Sequence, residues 1–119
     1  MIFFKPENVT PLNGQAVSAK ITAFDGSNEI GSCTVTVDSF NCYLSTFSVL
    51  TGDDLLTEGL IRSALNFAAN RGAYIAVCAD LSVENTLKLL GFSLSDGKYK
   101  GEIPELLKGS CCKNTGNID

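Results

Sequence analysis

Apolar and polar positions alternate along residues 17–24: Val17, Ala19, Ile21 and Ala23 fall on one side, Ser18, Lys20 and Thr22 on the other. A period of two puts successive side chains on opposite faces of a strand, so this segment reads as a half-buried strand. The same alternation returns over 29–38, where Cys33, Val35 and Val37 share a side, and a third strand is expected over 42–50. The breaks between them, Asp25-Gly26-Ser27-Asn28 and Asp38-Ser39-Phe40-Asn41, are only a few residues long. Strands joined that closely pair antiparallel, so the three form a meander. Residues 1–16 hold Pro6, Pro11 and the turn pair Asn13-Gly14, and are expected to be irregular.

The period then changes. Leu56, Leu60, Ile61, Ala64, Leu65 and Ala68 recur at helical spacing and predict an amphipathic helix over 55–71. Thr51 suits its N-cap with Asp54 three residues on, and Gly72 suits its end. Glu58 and Arg62, four apart on the polar face, are placed to pair. The apolar run 73–79 reads as a strand covered on both faces. A short helix over 82–90 follows, with Asp80 or Ser82 as cap and Gly91 as its stop. Residues 92–103 read as a hairpin around Asp96-Gly97, with Lys98 and Lys100 flanking Tyr99 on a solvated edge. Residues 104–108 suit one helical turn. The fold expected is α/β or α+β: a mixed, mainly antiparallel sheet with helices packed on it in three layers. It forms one domain over 1–108, and 109–119 is a polar, flexible tail.

Composition narrows the partners. With 119 residues, 45% of them hydrophobic, the chain can bury one core but not two. A net charge of −4, with nine scattered Lys and Arg, argues against nucleic acid. No stretch approaches the ~20 apolar residues of a membrane span, and the opening run is too short for a secretory signal, so a cytoplasmic protein is expected. On that expectation the sequon Asn8-Val9-Thr10 is a chance match. The absence of histidine removes imidazole base catalysis and imidazole metal ligation. Of five cysteines, Cys33, Cys42 and Cys78 lie in apolar segments and read as small core hydrophobes. Cys111 and Cys112 are adjacent in the tail beside Lys113, which leaves a reactive thiol or soft-metal role open there; a metal is otherwise not expected.

The order of segments, and the stretch Asp80-Leu81-Ser82-Val83-Glu84-Asn85-Thr86-Leu87-Lys88-Leu89-Leu90-Gly91-Phe92, resemble the GCN5-related N-acetyltransferase superfamily, with an acyl-CoA N-acyltransferase-like fold. Gly91 and Phe92 stand where the family has Gly-Phe. Asp80 stands at the family's Asn, Val83 at its Ala, Thr86 at its Leu and Leu87 at the Tyr proposed to protonate the departing thiolate. The resemblance runs from Val17 to about Phe92. The family lays pantetheine along the bulged strand that corresponds to 43–49, splayed from the strand at 74–79. That implies Phe47, Val49 and the helix start near Asp54 to Leu60 as coenzyme contacts. The two glycines of the family's pyrophosphate loop fall on Leu60 and Arg62, and the Arg or Gln that begins the motif falls on Thr57. Gly59 is offset from both. Asp53, Asp54 and Glu58 also put negative charge where a phosphate would sit. The family's N-terminal helix pair, which helps form the acceptor pocket, has no room in residues 1–16.

The resemblance implies acetyl-coenzyme A as cofactor and transfer of acetyl to a small-molecule or peptide amine. For a general base it points to a carboxylate of the second to fourth strands, here Glu29 or Asp38, both at strand ends where hairpin carboxylates are common. Tyr43, on the same strand face as Phe47 by simple alternation, is a second catalytic candidate. Arg62 either pairs with Glu58 or reaches a phosphate. The competing readings are a non-catalytic binding or dimerisation module of the same fold, and a thiol or metal role for Cys111-Cys112. Ordinary capping and core packing account for every apolar residue of the 55–71 helix without any ligand.

Overall fold

The computed structural model describes residues 2–12, 16–49 and 54–112, with side chains through Lys108. The strands are β1 (Ile2–Pro11), β2 (Val17–Asp25), β3 (Asn28–Asp38), β4 (Asn41–Val49), β5 (Ile75–Cys78), β6 (Ser93–Ser95) and β7 (Lys98–Glu102). The helices are α1 (Asp54–Ala69), α2 (Glu84–Leu90) and α3 (Ile103–Cys112). A short 3-10 turn, Leu81–Val83, leads into α2. The strands form one sheet in the order β1-β2-β3-β4-β5-β7-β6. Only β4 and β5 run parallel; every other pair is antiparallel.

The expected meander is present as β2, β3 and β4. Ala19, Ile21 and Ala23 pair in register with Val35, Cys33 and Gly31, and all are buried. Leu56, Leu60, Ile61, Ala64, Leu65 and Ala68 of α1 cover them, so the helix stripe meets the strand stripe as its spacing predicts. Gly72 and Gly91 follow their helices with φ of +89° and +108°, a left-handed geometry that favours glycine. The hairpin turns through Asp96 and Gly97, both at positive φ.

Residues 2–11 are not irregular. They form β1, paired with β2 and interrupted by a bulge at Asn8, whose φ is +53°. The prolines that hid the strand are tolerated because an edge strand needs hydrogen-bond partners on one side only. Its aromatics anchor it: Phe3 stacks on Phe24 with ring centroids 5.4 Å apart. Phe4 occupies the notch left by Gly59 of α1, where an added Cβ would meet its ring. The new strand also covers Thr22, which alternation had turned to solvent. That residue is buried and its hydroxyl donates to Glu7 Oε1 at 2.8 Å.

Two layers replace the expected three. The helices α1, α2 and α3 touch one another, and the buried apolar side chains of β2–β5 lie on their side. No described helix covers the opposite face, because β1 runs into β2 with no room for a helix pair. At the far edge, β6 rather than β7 is outermost. Tyr99 is therefore not at a solvated edge: it is 2% exposed, and its hydroxyl donates to Glu84 Oε2 at 2.8 Å, tying β7 to α2. The backbone helix of α3 continues through Cys112, so the supposed tail from Gly109 begins as helix. Residues 113–119, and Thr51 and Asn13-Gly14, lie outside the described residues.

A candidate coenzyme cleft between parted strands

β4 and β5 pair from Asn41/Ile75 to Leu44/Cys78 and then separate. β4 continues to Val49, whereas the other chain turns away through Asp80. A bulge in β4 changes its register against β3 between Ser45 and Ser48, and Thr46 takes φ +53°. One inserted residue reverses the side on which everything beyond it points. Phe47 and Val49 therefore turn toward the helices and pack against the core. Tyr43, before the bulge, remains exposed on the helix-free face. The two do not share a face, contrary to the plain alternation.

The parted strands open a cavity of about 270 Å³ beneath the start of α1. Phe47 and Val49 form one wall, Asp54 and Thr57 the second. The third is the start of α2, with Ser82, Val83, Asn85 and Thr86. The parting is held by Asp80, whose carboxylate accepts from the Ser82 amide at 3.0 Å and the Ser82 hydroxyl at 2.6 Å. Burial pushes the Asp80 carboxyl up, but these two bonds, joined by the Phe47 amide, more than offset it and hold it below its ordinary 3.8. Asp80 thus ties the β5 side of the opening to the bulged residue on the β4 side.

Thr86 stands out within the lining. It is 4% exposed, and its hydroxyl has no protein hydrogen-bond partner among the described residues. A buried hydroxyl left unpaired costs about 1–3 kcal/mol, and this one belongs to the cavity wall. No Lys or Arg lines the cavity among the described residues, and Asp54 makes its charge negative.

The structure separates the candidates named from sequence. Phe47 and Val49 line the cavity; Leu60 and Arg62 do not. Leu60 is fully buried in the core, close to Gly31, and so takes no space from a ligand at the helix start. Arg62 Nε lies 3.8 Å from Glu58, the helix pairing expected of it. Gly59, the lone glycine of that helix start, serves Phe4 rather than a phosphate. Leu87 is fully buried, so the position of the family's tyrosine is a core position here. Glu29 lies outside the cavity lining with its carboxylate 3.4 Å from Lys20. Cys33, Cys42 and Cys78 are buried free thiols. Burial, with the neighbouring sulfurs, pushes Cys33 and Cys42 up to about 12, which keeps them protonated and unreactive. Cys111 and Cys112 close α3, and their side chains fall outside the described residues. No described helix is long and apolar enough to cross a membrane.

Sequence reading missed the wall from α2. Its signal was a threonine inside the apolar stripe Val83, Thr86, Leu87, Leu90, where a core position would take an aliphatic residue.

No family model matches the chain, and no curated protein matches its sequence. Solved structures do match its fold. An N-acetyltransferase from Staphylococcus aureus superposes with a TM-score of 0.64 over 87% of this chain and 99% of its own, at 9% identity. A probable acetyltransferase from Staphylococcus epidermidis gives 0.61 over 71% and 67%, at 13% identity. An aminoglycoside 6'-acetyltransferase type Ii gives 0.61 over 72% and 69%, at 15% identity. The fold is therefore the acetyltransferase fold, a mainly antiparallel sheet with a parted parallel pair.

Proposed function

We propose that this chain binds acetyl-coenzyme A in the cleft between β4 and β5 and transfers its acetyl group to an amine, on a small molecule or a peptide. The observation that carries the reading is the parting of these strands around the Thr46 bulge, in a fold shared with acetyltransferases. The lining suits part of the coenzyme. Ser82, Asn85 and the unpaired Thr86 hydroxyl offer neutral hydrogen-bonding groups to an amide-bearing pantetheine arm, and Phe47 and Val49 offer apolar contact. Asp54, with no lining cation among the described residues, does not suit a pyrophosphate. Binding then rests on the arm, with the phosphates toward solvent.

When bound, acetyl-coenzyme A supplies an activated thioester that an amine can attack. Thr86 positions the arm by hydrogen bonding. Leu87 has no proton to give, so this position does not protonate the leaving thiolate. Melting curves with acetyl-coenzyme A, coenzyme A and dephospho-coenzyme A test binding, because a ligand of the folded state raises the midpoint by mass action. The reading expects a rise that grows with ligand concentration; no rise at millimolar ligand would sink it.

A second reading is favoured by Leu87 in place of the acid: a non-catalytic binding or dimerisation module of the same fold. Thiol release over a panel of polyamines, amino acids and peptides separates the two. A midpoint rise without thiol release supports the module.

A further inference from the structure

At the other end of α1, a second cavity of about 340 Å³ lies between the helix and the edge strand β1. That volume falls within the ~300–1,000 Å³ of small-molecule sites. Phe4 and Val9 of β1, with Phe67 of α1, make its apolar wall. Lys5, Ser63, Asn66, Asn70 and Arg71 make its polar lining, with two cations among them.

Asn66, Asn70 and Arg71 are exposed at the cavity mouth, within reach of a ligand from solvent. Arg71 makes no ion pair among the described residues, in a chain carrying −4 overall. Its guanidinium carbon lies 3.9 Å from the centroid of the Phe67 ring, a cation–π contact. A guanidinium in such a contact still carries five N–H donors, more than the ring can engage. Asn66 and Asn70, four residues apart and so on one side of the helix, make no side-chain hydrogen bond among the described residues. Asn66 stands in the last turn of α1 and Asn70 directly follows the helix. The result is a guanidinium seated on an aromatic ring with amides beside it, next to an aromatic and aliphatic wall.

We infer that this cavity binds a small organic carboxylate with an apolar body. The carboxylate pairs with Arg71, in the bidentate manner a guanidinium fork allows, and accepts from the amides of Asn66 and Asn70. The aryl or alkyl body lies on Phe4, Val9 and Phe67. The site is independent of the coenzyme cleft, which is lined by the first turn of α1, so either can fail without the other.

The test is a titration of the full chain followed by two-dimensional NMR. The probes are phenylpropionate and octanoate, each against its neutral carboxamide, with inorganic phosphate as a charge-only control. Saturable shifts are expected at the Arg71 Nε–H and the side-chain amides of Asn66 and Asn70. Loss of one charged hydrogen-bonded contact corresponds to about ten-fold in affinity, expected for each carboxamide and for Arg71→Gln with phenylpropionate. Phosphate, lacking the body, is expected to bind more weakly than either carboxylate. Equal binding of carboxylate and carboxamide overturns the inference, and that comparison needs no variant to fold. So do shifts that gather around Thr57 and Asn85 instead, or an Arg71→Gln protein that keeps its melting temperature and binds phenylpropionate unchanged.

Discussion

Thr86 concentrates the residue-scale argument, because one hydroxyl distinguishes a ligand site from a core position. Replacing it with valine keeps the shape and removes the unpaired group. Thr86→Val is expected to melt no lower than the parent without ligand, and to show a smaller midpoint rise with acetyl-coenzyme A. A valine variant that loses more than ~1 kcal/mol in a urea melt would show the hydroxyl to be bonded within the protein. Asp80 gives a pH-dependent test. Its folded pKa is depressed below 3.8, so its contribution is fully present above the unfolded value and is lost as pH falls through the folded one. Asp80→Asn removes the charge and replaces one of the two acceptor oxygens with a donor, leaving a weaker neutral acceptor for Ser82. The variant is expected to be ~1 kcal/mol less stable at neutral pH, as for a lost cap. In acid melts the gap between the two proteins is expected to close below pH 3.8. A gap that stays constant from neutral pH into that range would remove Asp80 from the account.

At the scale of elements, β1 and α1 are locked through one notch. Alanine is favoured over glycine within a helix by about 1 kcal/mol, so Gly59→Ala would stabilise an isolated α1. Here the added Cβ meets the Phe4 ring, and overpacking of that kind costs about 1–3 kcal/mol. Denaturant melts are expected to find Gly59→Ala destabilising in the parent and stabilising in a Phe4→Ala background. The non-additivity is the measure of the contact between strand and helix. Additive effects would mean that β1 does not rest on α1 through this pair. The same contact explains why a strand containing two prolines is held: its own backbone bonds one neighbour, and its aromatics supply the rest.

On the scale of the whole molecule, the prediction concerns which part of acetyl-coenzyme A the cleft reads. With Asp54 at the mouth and no cation in the described lining, acetyl-pantetheine is expected to bind within a few-fold of acetyl-coenzyme A. Asp54→Asn removes a repulsion worth roughly 0.3–1 kcal/mol near a helix start, and is expected to tighten acetyl-coenzyme A while leaving acetyl-pantetheine unchanged. Calorimetric titration of both ligands on both proteins checks it. A parent protein that binds acetyl-coenzyme A far more tightly than acetyl-pantetheine would place phosphate recognition in residues outside the described cleft walls. Sharing a fold with acetyltransferases does not decide between transfer and binding, since function resides in the site rather than in the scaffold.

Much of this architecture was written into local pattern. Period two specified β2 and β3, period 3.6 specified α1, and glycine at Gly72 and Gly91 marked both helix ends. These signals survive in one dimension because they depend on neighbours a few residues away. Tertiary structure alone decided three things. It made a strand of residues 2–11, whose pairing partner lies beyond a turn and whose anchor is a glycine on α1. It put every described helix on one face, since nothing in the period of a helix says which side of a sheet it will cover. It built the cleft, because the bulge at Thr46 reverses the facing of Phe47 and Val49, and only the parting from β5 brings them opposite Thr86. Alternation cannot register an inserted residue whose extra length appears only against the partner strand.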